Sequence, residues 1–191
     1  MEVIDIRCPW CLGSDLYKKY HDQEWGRPVR DEQKMFEFLI LETFQAGLSW
    51  ITVLNKRENF REVFYQFDIE RVASMAPEDV DRLMTNKGII RNRMKIEAAI
   101  HNAKVVIELH RTGQTLTDIL WSYVNYKSIN NSREKLKDLP AKTDLAERIS
   151  KDLKKLGFKF LGPTTVYAHM QACGMVNDHL ISCPAHKECL E

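Results

Sequence analysis

Residues 35–54, MFEFLILETFQAGLSWITVL, constrain this chain more than any other stretch. Nearly every position is apolar, so a helix here is greasy on all sides and has to be buried. A carboxylate, Glu42, sits in its middle. Such a group costs several kcal/mol in apolar surroundings unless it is paired or takes up a proton. Gly47 breaks the helix, and Leu48-Ser49-Trp50 leads into the next one with Ser49 as its N-cap. Two readings of Glu42 are open. An arginine or a helix N-terminus neutralises it inside the protein, or it faces a pocket and meets a ligand that carries positive charge or donor hydrogens.

A chain of 191 residues makes one domain over 1–191, with two lobes sharing a core, and needs no disulfides to fold. A formal net charge of +1 excludes a strongly basic, non-specific polyanion binder, so the cations that meet a nucleic acid have to be clustered. No apolar run reaches membrane-spanning length and the stretch MEVIDIRC has no signal-peptide character, so a soluble cytoplasmic protein is expected. Five cysteines, an odd number, speak for thiols or metal ligands rather than a full disulfide framework.

Along the chain, residues 1–30 read as irregular except for a helical face that brings together Tyr17, Tyr20 and His21. Asp31 caps the central helix, and its partner helix is expected over 50–64. Asp68 and Ala76-Pro77 open two short helices. After Gly88 a long helix carries Ile96, Ile100, Ala103 and Ile107 at helical spacing. Lys87, Arg91, Arg93 and Lys95 cluster at its entrance, where backbone N–H groups favour anions. Gly113 ends this helix, and residues 127–142 read as one long loop. Asp144 with Glu147 makes a capping box for a helix that ends at Gly157, and Pro163 takes the first position of the next. The tail reads as polar. No segment carries a strand pattern, so the fold class is all-α.

Three constellations carry chemistry. The Gly157-Phe-Lys-Phe-Leu-Gly162 turn between helices, with Lys151, Lys154, Lys155 and Lys159 around it, suits either phosphate binding or an ordinary connection with a solvated lysine face. His179-x3-Cys183 has metal-ligand spacing, and Cys8 and His21 can complete a Cys₂His₂ set that ties the two ends of the chain together; free surface thiols and histidines are the other reading. Cys8-x-x-Cys11 alone fits half a zinc site, a redox pair or two unrelated thiols. Trp10, Tyr17, Tyr20 and Trp50 with Glu42 are what a pocket for a flat cationic base needs.

Taken together, YHDQEWG (20–26), QAGLSWITVLNKRENFR (45–61), GIIRNRMKI (88–96), WSYVN (121–125), GFKFLGPTTVY (157–167) and MQACGMVNDH (170–179) resemble the DNA-3-methyladenine glycosylase I family of helix–hairpin–helix glycosylases. The resemblance covers nearly the whole chain and implies an all-helical, two-lobed fold acting in base-excision repair. It implies Cys8, His21, His179 and Cys183 as ligands of one structural zinc. It implies Glu42, Tyr20 and Trp50 as the residues that hold the methylated base, with Trp10 and Tyr17 lining the same pocket and Glu42 in the catalytic role. It further implies Gly47 and Leu48 as the bend that enters the DNA, and the hairpin with Lys159, Gly162 and Thr164 as the DNA-backbone anchor. Cys11 departs from the family pattern, and His186 and Cys189 are additional donors near the tail. The activity so implied is monofunctional: removal of 3-methyladenine from double-stranded DNA without strand cleavage, by a monomer with no protein partner and no membrane. The alternative is a zinc-stapled helical DNA-binding module without catalysis.

Overall fold

A computed structural model describes residues 5–190; residues 1–4 and 191 lie outside it, and the expectation drawn from MEVIDIRC rests partly on them. Eleven α-helices form among the described residues. They are α1 (Asp15–Gln23), α2 (Glu32–Gln45), α3 (Trp50–Leu54), α4 (Arg57–Val63), α5 (Ile69–Ala73), α6 (Pro77–Thr85), α7 (Arg93–Arg111), α8 (Leu116–Ser122), α9 (Asp144–Lys155), α10 (Pro163–Ala172) and α11 (Pro184–Glu188). None is long and apolar enough to cross a membrane.

The central helix is α2. Asp31 caps it by accepting from the Lys34 amide at 2.7 Å, and Met35 through Phe44 are all buried. It contacts α3, α7, α8 and α10, while α5 and α6 pack on α7 and α9 packs on α10. So α2 runs between the α3–α7 group and the α9–α10 pair, and one continuous core joins them. A helix apolar on every face is used here as its sequence demands, with neighbours all round.

Four local readings differ from the structure. The helix expected over 50–64 is two, because a tightened turn at Asn55-Lys56 separates α3 from α4. That turn lets Arg57 reach back to Glu24 in a two-pronged pair at 2.8 Å. The cap of α9 is Thr143, not Asp144. Thr143 is extended and accepts from the Ala146 amide at 3.2 Å, while Glu147 bonds Lys142 at 2.6 Å. The loop 127–142 contains a short strand, β1 (Ile129–Asn130), which pairs in parallel with β2 (Val176–Asn177). Two-residue strands are too short to leave a period-2 pattern. The tail that reads as polar is buried at and just after β2: Asn177, Asp178 and His179 are at most 1% exposed.

Lys95 also departs from its expected place. It is buried, and its Nζ donates to the carbonyls of Phe44 at 3.0 Å and Ala46 at 2.7 Å. It therefore closes the C-terminus of α2, where carbonyls lack helical partners, instead of offering charge to an anion. The bend that follows is free: Gly47 has φ +82° and Leu48 is 43% exposed. Lys95→Met removes two charge-assisted hydrogen bonds and leaves buried carbonyls open. It should cost about 2–3 kcal/mol, read as a lower urea midpoint with an unchanged slope.

Candidate functional site

A cavity of about 260 Å³ opens where α1, α2, α3 and α10 meet. Glu42 lies in its wall with Trp10, Tyr17, Tyr20 and Trp50, all five of the residues expected there. Helical geometry explains the convergence. Tyr17 and Tyr20 share one face of α1, and Trp50 opens α3 directly after the Gly47 bend. Tyr20 and Trp50 have ring centroids 5.4 Å apart, and Trp10 meets Tyr17 edge-on at 5.0 Å.

Glu42 is 4% exposed, and its Oε2 is buried without a partner. Burial pushes its carboxyl up to about 8. Glu37 shows what a structural acid in the same helix looks like: it is buried too, but Arg61 at 2.7 Å and Lys34 at 3.3 Å hold it. No arginine reaches Glu42 among the described residues, so the reading of it as an internal ion pair falls. The Trp50 Nε1 is a second buried polar atom without a partner, a donor in the same cavity. Both orphans belong to side chains that line a cavity a ligand can fill, the usual explanation of an unsatisfied buried group at a functional site.

Beside the pocket, Cys8, His21, His179 and Cys183 converge, all buried, with ligand atoms within 4.8 Å of one another. The His21 Nε2 lies 3.1 Å from the His179 Nδ1 and 3.6 Å from the Cys183 Sγ, and the Cys8 Sγ lies 3.8 Å from the His179 Nδ1. A tetrahedral ion with bonds of about 2.0–2.3 Å sets its donors about 3.3–3.8 Å apart, so the set fits a metal. The outer ring nitrogens support this. The Nδ1 of His21 bonds the Asp22 carboxylate at 2.8 Å, and the Nε2 of His179 bonds the Trp25 carbonyl at 2.9 Å. Both partners are acceptors, so both outer nitrogens donate and the inner lone pairs point at each other. Such a meeting is favourable only around a cation. Gly26 permits the approach: at φ +80°, a Cβ there would lie 2.9 Å from two atoms of the His179 ring. The three other donors stand apart. Cys11 turns its Sγ to the Cys8 carbonyl at 3.2 Å, His186 bonds Asn130 at 3.0 Å, and Cys189 is buried outside the set.

The two sites share a wall. Trp10 packs edge-on against His21 at 5.2 Å and Trp25 at 4.9 Å, and Trp25 meets His179 at 4.7 Å. At the N-terminal end of α10, Gly157 at φ +99° and Phe160 at φ +60° shape the turn that joins it to α9. Asn102 clamps that turn by accepting from the Lys159 amide at 2.8 Å and donating to the Lys159 carbonyl at 3.0 Å. The Lys159 amide is thus engaged. The Lys159 side chain, Gly162 and Thr164 are exposed, with Lys151 and Lys154 along the same groove.

The sequence matches the Methyladenine glycosylase family over residues 10–186. The chain belongs to that family. It is 50% identical over 178 residues to the DNA-3-methyladenine glycosylase of Haemophilus influenzae, covering 93% of this chain and 96% of the relative. It is 49% identical over 177 residues to DNA-3-methyladenine glycosylase 1 of Escherichia coli, covering 93% and 95%. A tyrosine-to-phenylalanine variant of a 3-methyladenine DNA glycosylase I, solved in complex with 3-methyladenine, superposes with a TM-score of 0.90 at 40% identity, covering 94% of this chain and 96% of that one.

For this member of the methyladenine glycosylase family, the sequence did not point to several pocket residues. Trp25 stands shortly after the Tyr17, Tyr20 and His21 face, in an aromatic-rich stretch. Leu136 and Leu139 come from the loop 127–142 and Gln171 from α10, where periodicity shows nothing about a distant cavity.

Removing the metal should loosen the pocket as well as the termini. A strong chelator should lower the melting temperature and shift the tryptophan emission through Trp10 and Trp25, and Cys183→Ser should hold well under one metal per chain by elemental analysis. The buried acid makes an opposite prediction. Glu42 keeps its proton more firmly folded than unfolded, so its contribution to stability is full below the ordinary value of 4.5 and is lost as pH rises towards 8. Glu42→Gln should therefore gain stability relative to wild type between pH 5 and pH 8.5, by about 1.4 kcal/mol per pH unit at most. Urea unfolding at the two pH values reads the difference.

Proposed function

We propose that this protein is a monofunctional DNA glycosylase that flips an alkylated nucleotide from double-stranded DNA and hydrolyses the bond between 3-methyladenine and deoxyribose. The observation that carries this reading is Glu42, a buried carboxyl without a protein partner in an aromatic-walled cavity. Methylation at N3 makes the purine cationic and a good leaving group. When the bond from N9 to the sugar C1′ breaks, its electron pair enters the purine and cancels the positive charge. Water then adds its oxygen to C1′ and releases a proton to solvent. The chain's task is to extract, hold and orient the base, so selective binding of the flipped state supplies most of the rate.

Tyr20 and Trp50 offer ring faces to a flat cation, and Trp10 and Tyr17 close the same wall. Glu42, ionised by the arriving positive charge, accepts hydrogen bonds from the base edge. Leu48, exposed beside the Gly47 hinge, fills the gap left in the stack. The amides of Phe160, Leu161 and Gly162 and the N-terminus of α10 offer donors to backbone phosphates beside Lys159 and Thr164. Zinc is the ion that two thiolates and two imidazoles suit best, and four protein donors leave no position for water, so its role is structural. A DNA-binding module without catalysis needs no such cavity and no unpaired acid inside it.

The deciding experiment is release of free 3-methyladenine from methylated duplex DNA. Wild type that binds the duplex and releases no base would establish the binding module instead. For the enzyme, kcat/KM should rise about tenfold per pH unit below pH 8 and level off above it, because the free enzyme needs Glu42 ionised. The kcat profile should lack this limb, since the bound cation draws the carboxyl down. Glu42→Gln should lose the limb and at least tenfold in kcat/KM.

A further inference from the structure

Gln171 lies on α10 in the wall of the cavity that holds Glu42. Its Nε2 donates to the Asp178 Oδ2 at 2.8 Å. Asp178 is buried, 1% exposed, and accepts three further bonds: from the Tyr167 hydroxyl at 2.5 Å, the Asn131 Nδ2 at 2.8 Å and the Arg133 Nε at 3.2 Å. A carboxylate surrounded by donors has only acceptor capacity, so a glutamine beside it must present its NH₂ group and not its oxygen. This settles the orientation of an amide that would otherwise be free to turn over. The Gln171 Oε1 accepts no hydrogen bond among the described residues and is the one uncommitted atom of that amide.

Beside Gln45 and the hydroxyls of Tyr17 and Tyr20, the residues of the cavity wall thus offer the Glu42 carboxylate and the Gln171 Oε1 as acceptors. We infer that Gln171 is a specificity-determining residue, whose Oε1, fixed by Asp178, accepts from the exocyclic amino group of the extruded base and selects 6-amino purines over 6-oxo purines. The inference rests on the glycosylase reading of the pocket and adds a preference which that reading alone does not contain. An amino group brings two N–H donors to two acceptors. A 6-oxo purine brings lone pairs to the same place and leaves buried acceptors unpaired, the arrangement that discriminates most strongly. Asp178 acts through Gln171 and is a positioning residue. Because it also bonds Asn131 and Arg133, it holds the loop that supplies Leu136 and Leu139 to the same cavity.

Single-turnover release of 3-methyladenine and of 3-methylguanine from methylated duplex DNA, in wild type and in Gln171→Leu, tests this. Gln171→Leu should lower 3-methyladenine release tenfold or more with 3-methylguanine release little changed, so that the ratio between the two bases narrows by the same factor. Equal falls for both bases would make Gln171 a structural support of α10, and unchanged rates would remove it from recognition; either overturns the inference. If Gln171→Leu does not fold, the same ratio measured in Gln171→Ser decides. Failure of wild type to release either base would sink the glycosylase reading itself, a result distinct from wild-type activity with an unaltered ratio in the variants.

Discussion

The uncompensated burial of Glu42 is the constraint to which the rest of the molecule responds. Three acidic side chains are buried among the described residues: Glu37, Glu42 and Asp178. Glu37 has a lysine and an arginine, and Asp178 has an arginine and three neutral donors. Glu42 sits five residues from Glu37 on the same helix and has neither. Holding a carboxyl there raises its pKa to about 8, against an ordinary 4.5. The surrounding fold offsets that cost through the capped and fully packed α2, the Lys95 clamp on its last carbonyls and the Arg57–Glu24 pair beside it. A more stable protein is one substitution away, and it would lack the group proposed to meet the ligand.

The Cys8, His21, His179 and Cys183 set, which fits a metal, belongs to the same arrangement. The aromatic wall of the pocket is built from chain-end segments that bury little surface by themselves. Trp10 stands two residues from Cys8, Tyr20 is next to His21, and Trp25 lends its carbonyl to His179 and its ring to Trp10. Rings serve recognition only if they cannot drift, and an ion held by this set would fix them without adding a single apolar contact. In this sense the donor set supports the chemistry though no step passes through it.

Much of this was legible in the sequence because the signals are local. The all-round apolar run of α2, the Asp31 cap, the proline at the start of α10 and the aromatic face of α1 each follow from neighbours a turn apart. The ligand set was legible from spacing and resemblance, which brought Cys8 and His21 to His179 and Cys183 across more than 150 residues. What escaped was long-range and pattern-free. Lys95 looked like surface charge, but it is drawn inward by carbonyls some fifty residues away. Asp178 stands next to His179 in sequence, and nothing local shows that it receives four donors. The pairing of β1 with β2 spans two residues on each side, so its cause lies in the segments it joins and not in either one.

On the proposed reading, the proton on Glu42 also accounts for selectivity in a chain with so little net charge. At pH 7 a carboxyl with a pKa near 8 is mostly neutral, and ionising it costs about 1.4 kcal/mol. A cationic purine in contact with it returns more than that, since a charge-assisted bond in a dry site is worth about 1.5–3 kcal/mol. A neutral adenine cannot, and it meets either a protonated acid or an unpaired anion. With a formal net charge of only +1, phosphate contacts fall to local groups such as those around Lys159, and any DNA provides such contacts equally. Undamaged bases therefore lack the electrostatic gain in the pocket that would hold them out of the stack. The few kcal/mol that flipping requires are recovered only where the base itself brings the charge.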